Sequence, residues 1–448
     1  MCANGRRWAG GALGLALSLG GVLVATGEDA AATASAPPAL DSGDTAWVLA
    51  CAALVLLMTP ALAFFYGGLV RKKNILSILM QCFTILCLLS VHWVVLGYSL
   101  AFGPDVGGVI GSLKWAFLDG VGQEPNADYA ATVPHQAFMI FQAMFAVITP
   151  ALILGAFAER MKFSAFCVFS LLWATLVYDP VAHWVWGTGG FVRAWGALDF
   201  AGGTVVHVNA GMAALAAALV LGPRVGYPGK MSPPHNLPFA VLGAGLLWFG
   251  WFGFNAGSAL AANGLAGNAF VVTHIAAAAA GVTWAILDGV FNRTPTMLGV
   301  ITGAVAGLVA ITPASGFVGV KGALAIGVGA ALLPYLAVVV VKPRLGYDDS
   351  LDAFGVHGVG GIWGSVATGI FASKAVNPAG ADGLIHGNAG LLGVQLAATA
   401  VTMVYSFVLS WVLLKAVDLA LGLRVSEHDE RVGLDLTQHR EAGYTIVD

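Results

Sequence analysis

The stretch GGTVVHVNAGM, residues 202–212, decides the fold class, because it places His207 in the middle of an otherwise apolar run. The stretch DAFGVHGVGGIWG at 352–364 holds His357 in the same way. An ionisable side chain inside hydrocarbon costs free energy, so its presence indicates a path for a substrate or for protons. The two stretches predict a membrane protein whose function lies at these two histidines.

The composition of the whole chain agrees with a membrane protein. Of the 448 residues, 58% are hydrophobic and only 10% are charged, which excludes a water-soluble domain of this length. The formal net charge is -3, so no basic surface for nucleic acid is expected. The five cysteines lack the spacing of metal ligands, and no metal or other cofactor is expected.

Residues 1–36 form a segment of their own. Arg6 and Arg7 precede an apolar run at 8–23, and small residues follow at 34–36. This order is typical of a cleavable signal peptide. An uncleaved first helix is the alternative, and in either case the residues near Asp41 would lie outside the cytoplasm.

The remainder is predicted to be an all-α polytopic membrane domain, residues 37–420, followed by a charged cytoplasmic tail, 421–448. Apolar segments long enough to cross about 30 Å of hydrocarbon lie at 46–70, 75–102, 134–158, 163–186, 200–222, 237–260, 268–291, 297–313, 318–341, 355–376 and 391–419. The sequence therefore predicts eleven transmembrane helices.

The Lys and Arg residues predict the orientation of these helices. With the first mature residue outside, the inner connections and the tail hold fourteen Lys and Arg residues, whereas the outer connections hold four. Basic residues accumulate on the cytoplasmic side of membrane proteins. We therefore expect the N-terminus outside and the C-terminus inside, with 103–133 as the largest outer loop.

The two histidines occupy matching positions in two halves of the chain. His207 lies in the fifth segment and His357 in the tenth, and each follows an aspartate, Asp199 or Asp349, by eight residues. An inverted repeat requires such a correspondence. The pattern predicts five helices plus five inverted helices, with one extra helix at the end.

The same spacing predicts the depth of the histidines. Eight residues at about 1.5 Å each place His207 and His357 roughly 12 Å from opposite surfaces, near the middle of the membrane. The rings could then be neighbours in one conduit, joined by a hydrogen bond between ring nitrogens. The alternative is two separate histidines, each bonded to a helix carbonyl.

Longer motifs carry a resemblance to a known family. The motifs are TPALAFFYGGLVRKKN at 59–74, AHWVWG at 182–187, LDFAGGTVVHVNAG at 198–211, WFGFNAGSA at 251–259 and DDSLDAFGVHGVGGIWG at 348–364. Together they resemble the ammonium transporter (Amt/Rh) family, over essentially all of the chain after the leader. The resemblance implies a transporter rather than an enzyme, a homotrimer with one pore in each subunit, eleven spans, and conduction of ammonium or ammonia.

By this resemblance, Phe145, Trp186 and Ser258 correspond to an outer site that recruits ammonium. Aromatic faces attract a cation by about 0.5 to 2 kcal/mol as water is removed. The Ser258 hydroxyl can accept a hydrogen bond, which a potassium ion cannot donate. The alternative is that these aromatic residues are ordinary anchors at the membrane interface.

The resemblance also assigns a gate and a pore. Phe145 and Phe254 correspond to stacked phenyl rings that exclude hydrated ions, because nothing there replaces the lost water. Beyond the rings, His207 and His357 would accept and relay the proton that ammonium loses. Whether that proton remains outside or crosses separately is left open. Gln142 and Phe141 are expected near the pore.

Asp199 and Asp349 are expected to support the structure. A carboxylate at a helix N-terminus is stabilised by backbone N–H groups and by the helix dipole. This favours a positioning role for both residues, with direct binding of ammonium by Asp199 as the alternative.

Trp186 and the tail SEHDERVGLDLTQH, 426–439, resemble the bacterial and plant Amt branch. A bacterial inner-membrane location, surrounded by lipid, follows from that branch and the leader. In the family the tail packs on a neighbouring subunit and forms a docking surface for PII-type signalling proteins, with a solvated tail as the alternative. An ammonium sensor with little or no transport remains the second functional hypothesis.

Overall fold

A computed structural model of the protein describes residues 39–229 and 233–444. The predicted signal peptide lies outside the described residues. Helices lie at each of the eleven predicted segments. They are α1 Ser42–Leu69, α2 Lys72–Phe102, α3 His135–Phe157, α4 163–186, α5 Gly203–Leu221, α6 Leu237–Gly257, α7 Gly264–Phe291, α8 Met297–Ile311, α9 Val320–Leu345, α10 354–371 and α11 Ala389–Leu421.

Nine helices of the described chain, all except α8 and α10, are long and apolar enough to cross a membrane. Helix α8 has 15 residues, which gives a length of only about 22 Å. Eleven of its residues are buried by neighbouring helices. These helices, rather than the length of α8, shield its backbone from lipid. The chain is thus a multi-pass membrane protein, and the count of eleven spans stays a prediction.

Polar side chains cap the N-termini of several of these helices. The carboxylate of Asp41 accepts a hydrogen bond from Asp44 N at 2.8 Å before α1, and Asn263 accepts from Leu265 N at 3.0 Å before α7. Thr296 accepts from Gly299 N at 2.9 Å at the start of α8. Such caps satisfy backbone donors that have no partner inside the helix.

Several helices contain a wider π-helical turn. These turns are Trp93–Gly97 in α2, Ala174–Tyr178 in α4, Gly203–Val208 in α5, Leu336–Val341 in α9 and Phe354–Gly358 in α10. The turns that begin α5 and α10 contain His207 and His357. Single π-turns are frequent at functional sites.

The connection 103–133 departs from the all-α prediction in a small way. It forms two antiparallel hairpins, in which β1 Asp105–Val106 pairs with β2 Ile110–Gly111 and β3 Pro125–Asn126 pairs with β4 Ala130–Pro134. A short 3₁₀ turn, Leu113–Leu118, lies between the hairpins.

Glycines allow the central helices to approach closely. A Cβ atom at Gly243 of α6 would overlap the backbone of Phe65 in α1, and a Cβ atom at Gly211 of α5 would overlap the backbone of Gly358 in α10. Small residues at such crossings are typical of helix packing in membranes. Because Gly211 and Gly358 lie within a turn of His207 and His357, this crossing brings the histidines together.

The tail folds back onto its own chain. Its short helix Glu427–Val432 and π-turn Asp435–His439 lie beside the ends of α2 and α5. Leu434 N donates to Asn74 Oδ1 at 2.8 Å, and Ser77 N donates to Asp435 Oδ1 at 2.8 Å. Further along the tail, Phe163 N donates to Gln438 Oε1 at 3.3 Å, and His235 Nε2 is 2.9 Å from the Tyr444 hydroxyl, so contacts anchor the tail up to residue 444.

Candidate functional site

His207 and His357 are neighbours in the structure. Their ring centroids are 5.4 Å apart with 17° between the ring planes, and the residues are 1% and 4% exposed. The expected hydrogen bond between the rings is not formed among the described residues. Nδ1 and Nε2 of His207 and Nδ1 of His357 have no protein partner there. Three buried nitrogens are therefore left to bond a small polar molecule.

The aspartates hold the turns that carry these histidines. Asp199 accepts hydrogen bonds from Gly202 N at 2.7 Å, Gly203 N at 2.6 Å, Thr204 N at 2.8 Å and Val205 N at 3.2 Å, and also from the Thr204 hydroxyl. Its oxygens are thus already occupied, which favours the positioning role over ammonium binding.

Asp349 occupies the equivalent place before α10. Its carboxylate accepts from Ala353 N at 3.0 Å and Phe354 N at 2.7 Å. Burial raises the pKa of Asp349 to about 6, although Lys342 and the two N–H donors act in the opposite direction.

A cavity of about 490 Å³, here called the Trp186 cavity, brings together the expected recruitment residues. Phe145, Trp186, Ser258, Gln142 and Asp199 all line it. The Trp186 indole Nε1 donates to the carbonyl oxygen of Asp199 at 2.9 Å, which fixes the ring. Ser258 Oγ donates to the Phe254 carbonyl at 2.8 Å, so its lone pairs remain free to accept a bond from a cation such as ammonium.

Two phenyl rings close the inner end of the Trp186 cavity. The centroids of Phe145 and Phe254 are 4.2 Å apart, and each residue is 1% exposed. Trp186 meets Phe145 edge to face at 5.9 Å, and Phe141 meets it at 5.0 Å. The rings leave no polar atom that could replace the water of a hydrated ion.

A small cavity follows behind the phenyl rings. This histidine cavity has a volume of about 10 Å³, close to the space that one water-sized molecule needs. Apart from the two histidines its lining is apolar: Met58, Leu62, Phe65, Ile148, Leu152, Val206, Leu247, Trp251, Phe254 and Val305.

A third cavity, of about 310 Å³, continues the path. It is here called the Asp352 cavity. Besides His357, the polar and charged residues that line it are Tyr66, Arg224, Asp288, Thr296, Thr302, Ser350 and Asp352. His357 and Phe65 line both this cavity and the histidine cavity. The protein thus holds a large cavity, two phenyl rings tilted at 32° to each other, a narrow apolar cavity with two histidines, and a second large cavity.

The sequence prediction missed part of this lining. The Trp251 ring lies 5.4 Å from that of His207 at 20°, and its Nε1 donates to Thr312 Oγ1 at 2.9 Å. Phe65 lines both the histidine cavity and the Asp352 cavity. Both residues stand inside quoted motifs, WFGFNAGSA and TPALAFFYGGLVRKKN, so their motifs were visible while the direction of their side chains was not.

Buried ion pairs brace the loops beside the Asp352 cavity. Arg224 binds Asp348 at 2.8 Å and Glu159 at 3.5 Å, and Arg71 binds Glu159 at 3.0 Å. Burial alone would raise the pKa of Asp348, but the charge and hydrogen bonds of Arg224 outweigh burial and lower it. The pKa of Glu159 is lowered for the same reason, mainly by Arg71.

The described residues contain no group of three or more His, Cys, Asp or Glu side chains arranged to hold a metal ion. The cavities and the unpartnered histidine nitrogens are the features that bear on function.

Comparisons with known proteins agree on one family. The family model described as Ammonium Transporter Family matches residues 46–444. An ammonium transporter of Bacillus subtilis is 53% identical over 405 residues, which cover 90% of this chain and 99% of that protein. The ammonium transporter Amt1 of Archaeoglobus fulgidus is 50% identical over 407 residues, covering 91% and 100%.

Solved structures share the fold. Mep2 of Saccharomyces cerevisiae superposes with a TM-score of 0.81 at 37% identity, covering 86% of this chain and 88% of Mep2. A structure named Sensor Amt Protein superposes with a TM-score of 0.81 at 31% identity, covering 89% and 98%.

Proposed function

Because this chain belongs to the ammonium transporter family, we propose that it conducts ammonia through the three cavities after ammonium has lost a proton. The observation that carries this proposal is the narrow histidine cavity between two large ones. Its volume of about 10 Å³ and its apolar lining suit neutral ammonia and exclude a hydrated cation.

Ammonium is recruited in the Trp186 cavity. The faces of Phe145 and Trp186 attract the cation, and the free lone pairs of Ser258 Oγ accept one of its N–H groups. Gln142 adds an acceptor, because its buried Oε1 has no partner among the described residues. Potassium cannot donate these hydrogen bonds, so the site favours ammonium.

Deprotonation takes place at the phenyl gate. The rings of Phe145 and Phe254 offer no replacement for hydration, so the charged form stops there and ammonia continues. His207 and His357 then bond ammonia through their free nitrogens. The same nitrogens can pass a proton, which would make transport electrogenic.

The test is the current on a solid-supported membrane that carries purified protein. An ammonium jump should give a current that a potassium jump does not, and His207→Ala with His357→Ala should abolish it. His386→Ala, in an exposed loop, is the control and should keep the current. Ammonium flux without any current in the wild type would mean that neutral ammonia crosses alone.

An ammonium sensor is the second candidate function. It is supported by the likeness to the structure named Sensor Amt Protein. A sensor needs the Trp186 cavity and the tail but no conducting path. A wild-type protein that binds ammonium and shows no flux in the same experiment would favour the sensor.

We also infer assembly with further copies of the chain. His274 lies exposed on α7, ten residues or roughly 15 Å from the helix start. Its ring is 5.3 Å from that of Trp248, whose Nε1 has no partner among the described residues. Lipid chains cannot bond the exposed imidazole of His274, so another subunit covers this face.

The resemblance to the family makes the assembly a homotrimer. Native mass spectrometry should give a trimer for the wild type. Val271→Trp, beside His274 and 48% exposed, should weaken it, whereas Val404→Trp on α11, 65% exposed, should not. A monomer for the wild type would contradict the proposal.

The remaining proposals concern orientation and partners. Eleven helices cross a bacterial inner membrane, with the N-terminus outside after removal of the signal peptide and the C-terminus inside. The anchored tail and the loops beside it offer a surface for a PII-type signalling protein. Protease protection of the tail in sealed vesicles tests the orientation, and co-purification with the host's PII-type protein tests the partner.

A further inference from the structure

A second pair of ionisable side chains lies inside the membrane domain, between α2 and α4. His92 Nε2 is 3.7 Å from Asp179 Oδ2, and the two side chains are 6% and 0% exposed. Neither residue lines the Trp186, histidine or Asp352 cavity. Ionisable side chains buried inside the membrane cost free energy, so their presence here indicates a function.

The bonding of Asp179 differs from that of the other buried aspartates. Asp199 accepts hydrogen bonds from four N–H groups and a hydroxyl, and Asp349 accepts two from N–H groups. Neither carboxyl oxygen of Asp179 has a hydrogen-bond partner among the described residues. An ionised carboxylate without donors in an apolar interior is unstable, and such a group takes up a proton instead.

His92 is the neighbouring base that can accept that proton from Asp179. Its Nε2 is 2.9 Å from Thr175 Oγ1, and the Thr175 hydroxyl donates to the Leu171 carbonyl at 2.9 Å. Its Nδ1 has no partner among the described residues. The imidazole is therefore tethered at one edge and still has a free nitrogen.

Other ionisable groups on the packed helices are occupied or distant. The Tyr98 phenol of α2 is bonded to His135 Nε2 of α3 at 2.5 Å, and the Tyr405 phenol of α11 donates to the Leu176 carbonyl at 2.7 Å. His183 of α4 is bonded to Asp105 at 2.9 Å. Among the described residues, the ring of His92 is the basic group within 4.0 Å of Asp179.

The backbone is irregular on both sides of this pair. The π-turn Trp93–Gly97 begins directly after His92, and the π-turn Ala174–Tyr178 ends directly before Asp179. The imidazole packs on Gly97, where a Cβ atom would lie 2.8 Å from the ring. Two neighbouring helices thus each carry a π-turn next to this pair, and single π-turns are frequent at functional sites.

From these observations we propose that Asp179 and His92 form a proton-binding site outside the ammonia path. Asp179 is a neutral carboxylic acid in the resting protein. Because the Thr175 hydroxyl donates to Leu171, Nε2 of His92 carries a proton and donates to Thr175 Oγ1 in this structure. In the other tautomer, with the proton on Nδ1, that bond is released and Nε2 accepts the Asp179 proton. The O–H bond breaks as an N–H bond forms, which gives a carboxylate beside an imidazolium. One proton moves between the two residues, and the pair has no net charge in either form. This proposal does not depend on the proposed transport.

Infrared spectroscopy of the full chain in lipid vesicles tests this site. The wild type at neutral pH should show the C=O band of a buried carboxylic acid, and the band should shift in D₂O. Asp179→Asn, which has the shape of the neutral acid, should remove the band while circular dichroism stays unchanged. Asp119→Asn, in an exposed loop, should keep it. A wild type without the band, or a band that persists in Asp179→Asn, would overturn the proposal.

A second variant covers the case in which Asp179→Asn does not fold. His92→Gln removes the base but leaves a polar side chain near Thr175. Because Nε2 of His92 is then no longer there to accept the Asp179 O–H, the acid C=O band should shift in frequency relative to the wild type. A band at the same frequency in both proteins would overturn the pairing of Asp179 with His92.

Discussion

The imidazoles of His207 and His357 lie nearly parallel, with 17° between their planes and 5.4 Å between their centroids, although they belong to α5 and α10. The crossing of Gly211 against Gly358 produces this approach, because a side chain at either position would separate the helices. Both residues line a cavity whose other lining residues are apolar.

We expect Phe254→Ala to reduce the selectivity of the gate. The change removes one of two phenyl rings whose centroids are 4.2 Å apart, so hydrated cations can approach the histidine cavity. Currents after ammonium and potassium jumps measure the effect, and a potassium current should appear. Phe252→Ala is the matched control, because that ring stacks on Phe270 at 3.9 Å, away from the path. An unchanged selectivity in Phe254→Ala would argue against a phenyl gate.

Asp199→Ala should destabilise the protein more than Asp349→Ala. Removal of a capping side chain costs roughly 0.5 to 2 kcal/mol. Asp199 satisfies five donors and Asp349 two, so the first change leaves more buried donors unpaired. Thermal unfolding of the two variants in one detergent makes the comparison. Equal losses would show that the number of donors does not decide the effect.

Asp348→Asn should be strongly destabilising, by roughly 3 to 5 kcal/mol, because it leaves the buried Arg224 without its main partner. The lowered pKa of Asp348 means that its ionised form stabilises the folded state above the ordinary aspartate pKa. That contribution is lost as the pH falls through the lowered value. The gap between wild type and variant should therefore stay constant down to the ordinary aspartate range and shrink below it. Unfolding midpoints measured over a pH series check this, and a gap that shrinks near neutral pH would contradict it.

Glu430→Ala should release the tail. The Glu430 carboxylate accepts from Val225 N at 2.6 Å and binds Arg424 at 2.8 Å, and the residue is fully buried. Its loss leaves the Val225 N–H without an acceptor and the Arg424 guanidinium without its carboxylate partner, although Arg424 still donates to the Leu221 carbonyl at 3.1 Å. Hydrogen exchange of 426–444 should become faster. Glu427→Ala is the control, because Glu427 is exposed and pairs only with Arg431 in the next turn. Equal exchange in both variants would show that Glu430 does not anchor the tail.

Much of the fold was predictable because the length of an apolar segment can be read from neighbouring residues in the sequence. Each of the eleven apolar segments predicted between 46 and 419 lies at a helix of the described chain. The helix ends themselves moved by a few residues, as at α5, which begins at Gly203 rather than 200. The cause is the Asp199 carboxylate, which binds the following N–H groups and so sets the first turn.

The site was predicted in composition but not in geometry. The spacing of Asp199 and His207 was readable, and so were the motifs that contain Trp186, Ser258 and Phe254. The expected hydrogen bond between the histidines is not formed in the described part of the chain, although the rings are nearly parallel with their centroids 5.4 Å apart. Trp251 was missed, because a tryptophan in an apolar helix gives no sign of which neighbour it contacts.

The sequence by itself determined the class of protein, the helices, the family and the chemical groups of the site, because each depends on residues close together in the chain. Only the tertiary structure decided the alignment of the three cavities, the ring orientation of His207 and His357, and the isolation of Asp179 from hydrogen-bond donors. These properties depend on which faces of distant helices meet, and that is settled by the packing of the whole bundle.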